Sequence, residues 1–390
     1  MGFHDQFIAP IYCAAHKNTG SGGLRGNEPV AGGVAKVDDL TACRAVFAGW
    51  VYLYHLNLHL GLGRHVGGFG FLTPVVERGY LGVDGFFVLS GLVLAYAHPE
   101  LTCRPADMGR FWLKRLLRIY PVHLAMIGLL ALMLAAGAAA GLPPRDPGRF
   151  GAGELIRHLL LIHGWGLSGR WAWNYPSWSI STEWAGYLAF PLLWLALRRV
   201  RPGACLLLAA VMLGLLAVVD VRAGRVGLNL TYEGALGRFF PEFVAGMAAV
   251  RIAALAERRV SGLVLASTGA GLAALALCLA RDWAVVVGLW LTLGGLLIAA
   301  RQGRAATLAR FPGMLWLGDV SYAFYMSFAV VETGQALVWR RLGLAPADWP
   351  LTYIVETTGL TLALATLAWW FVERPALRLG RHLAVRRPGV

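Results

Sequence analysis

The chain has 390 residues, 57% of them hydrophobic and only 14% charged, with a mean hydropathy of +0.59. A soluble globular chain is nearer a quarter charged, so this balance excludes one, and no long polar stretch could hold a separate soluble domain. The net charge of +14 is nearly all arginine, with lysine only at 17, 36 and 114; on a chain of apolar segments it reads as cytoplasmic loop charge, not as a nucleic-acid surface. Five scattered cysteines without a C-x-x-C pair indicate neither a disulfide framework nor a thiolate metal site.

Residues 1–40 are Gly-rich and mixed in charge, and lack the basic start and long apolar core of a signal peptide. They read as a disordered cytoplasmic tail or a start-site extension. Apolar spans then fall at 41–60, 79–98, 119–141, 181–197, 203–220, 235–253, 261–280, 283–300, 313–331 and 351–371. A further apolar stretch, 154–167, is too short for a span and contains Arg157, His158 and His163, which suits a re-entrant or interfacial segment. With the N-terminus inside, roughly two in three of the lysines and arginines fall on inner segments. Counting 154–167 as a span would move the arginines at 198, 199 and 201 outside. The expected fold is therefore all-α: a polytopic integral membrane protein of about ten transmembrane helices, both termini cytoplasmic. The membrane domain covers 41–373, with one outer loop at 142–180 and a basic cytoplasmic tail at 374–390. No inverted repeat of the transporter kind is evident.

The first span carries Arg44 and His55 inside an apolar run. Eleven residues at roughly 100° each bring both onto one helix face, about 16 Å apart along the axis. An arginine snorkelling to headgroups and a histidine bonded between helices would be the plain account. An imidazole at that depth is also the side chain best poised to act as a general base. His55 and His59 have the spacing of a helical metal pair, but no third ligand at helical spacing completes a site.

The second span contributes Asp84 among Gly82, Gly85 and Gly91. It is a candidate to orient His55, or a structural carboxylate paired with an arginine. Arg110, Lys114 and Arg118 then share a face, with Arg115 beside them; such a cluster suits phosphate oxygens or lipid headgroups. After the outer loop, Pro176-Ser-Trp-Ser-Ile-Ser-Thr-Glu183-Trp184 opens the fourth span. Ser181 could cap that helix, and Glu183 could be a first-turn carboxylate or part of an outward-facing acceptor site, with Trp178 and Trp184 packing on sugar rings. Leu317-Gly-Asp-Val-Ser-Tyr322 and Glu373-Arg-Pro375 look like helix-boundary punctuation.

Together these stretches resemble the acyltransferase 3 family of bacterial integral-membrane acyltransferases. The matching pieces are Arg44 with His55, Gly79-x-x-Gly-Val-Asp84-x-Phe-Phe-Val-Leu-Ser-Gly91, Arg115-x-x-Arg118, Ser177-Trp-Ser-Ile-Ser-x-Glu183, Leu317-Gly-x-x-Ser-Tyr322 and Glu373-x-Pro375, in the family order from about 41 to 378. The resemblance implies an acyl-CoA donor, acetyl-CoA being the expected one, and a hydroxyl acceptor on a surface glycan or lipid-linked sugar. It implies catalytic His55; Asp84 and Glu183 are the candidates to stabilise its imidazolium or orient the acceptor. Arg44 lies close to His55, and Arg115 and Arg118, with Lys114 beside them, lie near the CoA phosphates. Trp178, Ser179, Ser181 and Tyr322 are the expected acceptor contacts. No metal is expected. Partners are the glycan and membrane lipids, the location is the bacterial cytoplasmic (inner) membrane, and the oligomeric state stays open, a homodimer among the options. One departure stands out: many members carry a histidine where this chain has Phe328. A covalent acyl-histidine stays open beside direct transfer. The competing class is a glycolipid transporter or flippase using His55, Asp84 and Glu183 as a proton relay.

Overall fold

The computed structural model describes residues 37–62 and 72–385; the N-terminal tail lies outside them, apart from its last residues. Every regular element among the described residues is helical. Ten long helices follow the ten apolar runs: α1 Asp38–Leu60, α2 Gly82–Ala97, α3 Pro105–Ala139, α4 Trp178–Leu197, α5 Pro202–Ala223, α6 Ala235–Ala256, α7 Gly262–Cys278, α8 Asp282–Arg301, α9 Met314–Leu342 and α10 Pro350–Ala368. A π-helical turn, Trp369–Glu373, leads without a break into α11, Arg374–Val385. Eight helices among the described residues are long and apolar enough to cross a membrane, as expected of a polytopic membrane protein. Of the other two, α7 is shorter and α1 opens on Asp38 and Asp39 and contains Arg44.

Local chemistry explains several boundaries. Proline at the first position starts α3, α5 and α10, where its missing N–H costs nothing. Left-handed glycines, Gly61 and Gly343, end α1 and α9. Asp39 accepts from the backbone N–H groups of Thr307 and Ala309, tying the start of α1 to the loop before α9.

α1 lies inside the bundle, packed on α9 and α2. At Gly82 a Cβ would run into the Phe47 carbonyl of α1, and at Gly91 into the Phe243 carbonyl of α6, so α2 approaches both neighbours with its backbone. Between α2 and α6 lies a fully buried ion pair. Asp84 accepts from Arg238 Nε at 2.6 Å and from its Nη2, and both side chains are 0% exposed. Arg238 also donates to the Leu230 and Tyr80 carbonyls, and Glu242, one turn along α6, is buried as well. The carboxylate expected as a candidate to orient His55 is thus engaged by an arginine, the structural alternative the sequence left open.

The stretch 154–167 makes no span. It forms a short helix, Ala152–Leu159, and then turns back along α3. Its buried histidines stack on His123 of α3: the His158 and His163 rings are 3.8 Å apart, and His123 Nε2 lies 3.0 Å from the His158 carbonyl. Leu161 and Trp173 adopt left-handed backbone conformations where this loop reverses.

Candidate active site

Two compartments bracket the middle of the bundle. The larger is a cavity of about 420 Å³, within the usual size of small-molecule sites. It runs beside α2 from Ala97 to Val83, about 21 Å at 1.5 Å per residue. One end is cationic: Lys114, Arg115 and Arg118 of α3 meet Arg374 and Arg381 of α11. Arg110, expected on the same face as Lys114 and Arg118, pairs with Asp107 at 3.0 Å and does not line the cavity. The second compartment is a pocket of only about 30 Å³, whose wall includes His55, Tyr54, Tyr80, Trp171, Tyr175 and Trp178. Val83 and Tyr325 line both, so the two spaces share a wall.

α1 and α9 run parallel past this wall. Arg44 Nε donates to Ser321 Oγ at 3.2 Å on the cavity side. Eleven residues further along both helices, His55 and Glu332 are joined through Tyr175: its hydroxyl lies 3.0 Å from His55 Nδ1 and donates to Glu332 Oε2 at 2.9 Å. Because the carboxylate accepts the phenol proton, the phenol oxygen is left to accept from Nδ1–H. The neutral imidazole then has its Nε2 lone pair free. His59 Nε2 lies 3.4 Å from the same carboxylate oxygen. Phe328, the departure from the family pattern, packs its ring 4.7 Å from the His55 ring.

The expected site residues divide between the compartments. Arg44, Lys114, Arg115, Arg118, Ser179, Glu183 and Tyr322 line the cavity; His55 and Trp178 line the pocket. Glu183 was expected beside an outward-facing acceptor site; it lies instead on the cavity with the cations and accepts from Ser90 Oγ at 2.7 Å. Arg118 is ion-paired with Glu373, and its guanidinium lies 5.4 Å from the centre of the Tyr322 ring. Glu373 is therefore more than helix punctuation: the π-helical turn carries a buried carboxylate to α3. Tyr322 donates to the Ile119 carbonyl, which fixes its ring.

Ser181 lines neither space. α4 begins at Trp178, so Ser181 is inside the first turn and not a cap; its Oγ donates to the Leu161 carbonyl and accepts from Gly164 N–H, holding the loop. Trp178 is 6% exposed beneath Arg238, whereas Trp171 is 43% exposed and stacked 5.4 Å from Tyr175. Ser179 donates to the Tyr325 hydroxyl, which itself donates to the Pro176 carbonyl, both at 3.0 Å. Among the described residues no group of three or more His, Cys, Asp or Glu side chains could hold a metal.

The family model for the acyltransferase domain of the acyltransferase 3 family matches residues 37–373. The chain belongs to this family. It is similar to acyltransferase MdmB of Streptomyces mycarofaciens, with 30% identity covering 81% of this chain and 85% of that protein. Nodulation protein 10 of Rhizobium leguminosarum bv. viciae is 27% identical over 90% of this chain and 94% of its own length. The exopolysaccharide production protein ExoZ of Rhizobium meliloti is 29% identical over 78% and 91%. No solved structure matches the chain. Membership makes this multi-pass membrane protein an enzyme that transfers acyl groups, which sets the transporter reading aside.

Proposed function

We propose that the protein moves an acyl group, acetyl foremost, from acyl-CoA to a hydroxyl of a surface glycan or lipid-linked sugar at the bacterial cytoplasmic membrane. The observation that carries this is the joined pair of compartments: a cationic cavity of donor size ending at the wall behind which His55 is held. With the N-terminus cytoplasmic, the cationic end opens inward, where CoA is found, and the aromatic pocket lies toward the outside. A pantetheine arm of roughly 15–20 Å matches the length of the cavity. His55 Nε2 takes the proton of the acceptor hydroxyl, whose oxygen attacks the thioester carbonyl carbon. The C–S bond breaks, and the imidazolium returns the proton to the leaving thiolate, giving free CoA and the ester. Tyr175 and Glu332 are positioning residues: they hold the tautomer and share the positive charge of the imidazolium. The pocket, about 30 Å³, has room for the reacting hydroxyl alone, and the exposed Trp171 ring beside it offers a face for the sugar that carries it; ExoZ is named for exopolysaccharide production.

The test is thiol release. Purified protein in nanodiscs, given acetyl-CoA and surface glycan, should liberate free CoA and acetylate the glycan, and His55→Ala should abolish both. An unchanged rate in that variant would remove His55 from the chemistry, and failure to use any acyl-CoA would remove the donor.

A further inference from the structure

We propose that α11, which follows the family-matched region, forms with Lys114 and Arg115 the anion site that takes the 3′-phosphate and diphosphate of the donor's nucleotide end. This rests on the acyl-CoA reading above. Six basic side chains line the cavity, and two are already engaged: Arg118 by Glu373, and Arg44 by Ser321. Lys114 and Arg115 of α3 and Arg374 and Arg381 of α11 remain without an acidic partner among the described residues. The nucleotide end of acyl-CoA carries about four negative charges, since a phosphate monoester contributes nearly two. Four open cations suit that charge even with the Glu183 and Asp319 carboxylates on the same lining, and guanidinium forks match phosphate oxygens.

The placement of α11 supports the assignment. Arg374, Leu377, Gly380 and Arg381 recur at helical spacing and face the cavity, while Leu379 and Leu383, 50% and 42% exposed, point away. Such a helix lies in the membrane interface with its apolar side in lipid and its basic side over the cavity mouth. α11 packs on α3 at this point, Gly380 lying against Leu117 at a distance where even a Cβ would make ordinary contact, 3.4 Å. Arg374 is stacked 4.4 Å from the centre of the Trp370 ring, which orients its fork before any ligand arrives. Glu373 and Arg374 then divide the work of adjacent positions. The carboxylate neutralises Arg118 inside, and the arginine beside it serves the mouth.

The experiment measures binding of CoA, adenosine 3′,5′-bisphosphate and pantetheine to the full chain in nanodiscs, by titration calorimetry. The double variant Arg374→Gln/Arg381→Gln should weaken CoA and the bisphosphate tenfold or more and leave pantetheine unchanged. Arg374→Lys/Arg381→Lys should recover most of the loss. CoA affinity within twofold of wild type in the Gln variant overturns the assignment of α11 alone. Equal weakening of pantetheine overturns it too, because α11 would then be supporting the bundle and not the phosphates. Wild-type protein that binds no CoA overturns both this inference and the donor reading.

Discussion

Replacing Tyr175 by Phe removes one oxygen from the middle of a three-residue chain. The phenol hydroxyl both bonds His55 Nδ1 at 3.0 Å and donates to Glu332 Oε2 at 2.9 Å, so His55 Nδ1 loses its partner and Glu332 Oε2 keeps only His59, at 3.4 Å. The ring should stay in place, because it is stacked on Trp171 and packed edge-on to Phe328. A hydrogen bond to a charged group contributes about 1.5–3 kcal/mol. In the proposed reaction His55 becomes charged in the transition state, so that amount is lost from the barrier side alone. At about 1.4 kcal/mol per tenfold, kcat should fall roughly 10- to 150-fold. The KM for acetyl-CoA should not move, since Tyr175 does not line the donor cavity. Glu332→Gln keeps an acceptor for the phenol but removes its charge, and should lose less than Tyr175→Phe. Single-turnover thiol release at saturating donor and acceptor measures the step. A kcat within threefold of wild type for Tyr175→Phe would refute the positioning chain, and a donor KM that rises in parallel would mean the variant disturbs the bundle.

Three further outcomes follow from other contacts. Arg238→Met leaves Asp84 buried without its partner, which costs about 3–5 kcal/mol and should show as a lowered unfolding temperature in detergent. Asp84→Leu with Arg238→Met should regain much of that stability; a stable but inactive double variant would return Asp84 to the chemistry. Trp171→Ala, taking away the exposed ring over Tyr175, should raise the acceptor KM severalfold and leave the donor KM unchanged, whereas unchanged kinetics for both substrates would deny Trp171 a role in acceptor binding. Tyr325→Phe frees the shared wall from its bonds to Ser179 and Pro176 and should raise thiol release without acceptor; a release equal to wild type would show that the wall is not what keeps water from the thioester.

The helices were legible because each apolar run is long enough to announce itself, and α1 was legible because two ionisable residues interrupt it at a helical spacing. What the sequence hid lies at the edges of those same runs. The ninth span, ended at 331 on hydropathy, stops one residue before Glu332, although the helix continues to Leu342. A carboxylate looks like the end of a membrane run until a second helix supplies its partner. Glu373 looks like helix punctuation for the same reason, and Arg238, fully buried against Asp84, carries no sequence signal of its partner. Hydropathy starts the fourth span at 181 and puts Glu183 at its outer end, whereas the helix begins at Trp178 and turns that carboxylate toward Ser90 and the cavity. Tyr175 had no signal, since its place is set by a loop turning through left-handed Trp173, which carries no periodicity. One clue was available: Ser321 and Glu332 are separated by the same eleven residues as Arg44 and His55. Two odd-numbered spans run in the same direction, so equal spacings on them can pair residue for residue.

That parallel pairing also says why the costly residues stand where they do. α1 and α9 each reach the cavity side and the His55 side of this wall, so on the proposed reading the distance from donor mouth to base is set by about 1.5 Å per residue of helix. Arg44 with Ser321 marks one depth and His55 with Glu332 another, and Tyr325 of α9 stands in the wall between. An acyl thioester is worth protecting from water until an acceptor hydroxyl is present. Tyr325 is held in that wall by two neutral hydrogen bonds, each contributing about 1 kcal/mol net. Phe328 sets an apolar ring against His55, so on the proposed reading Tyr175, and Glu332 through it, answer the charge of the imidazole.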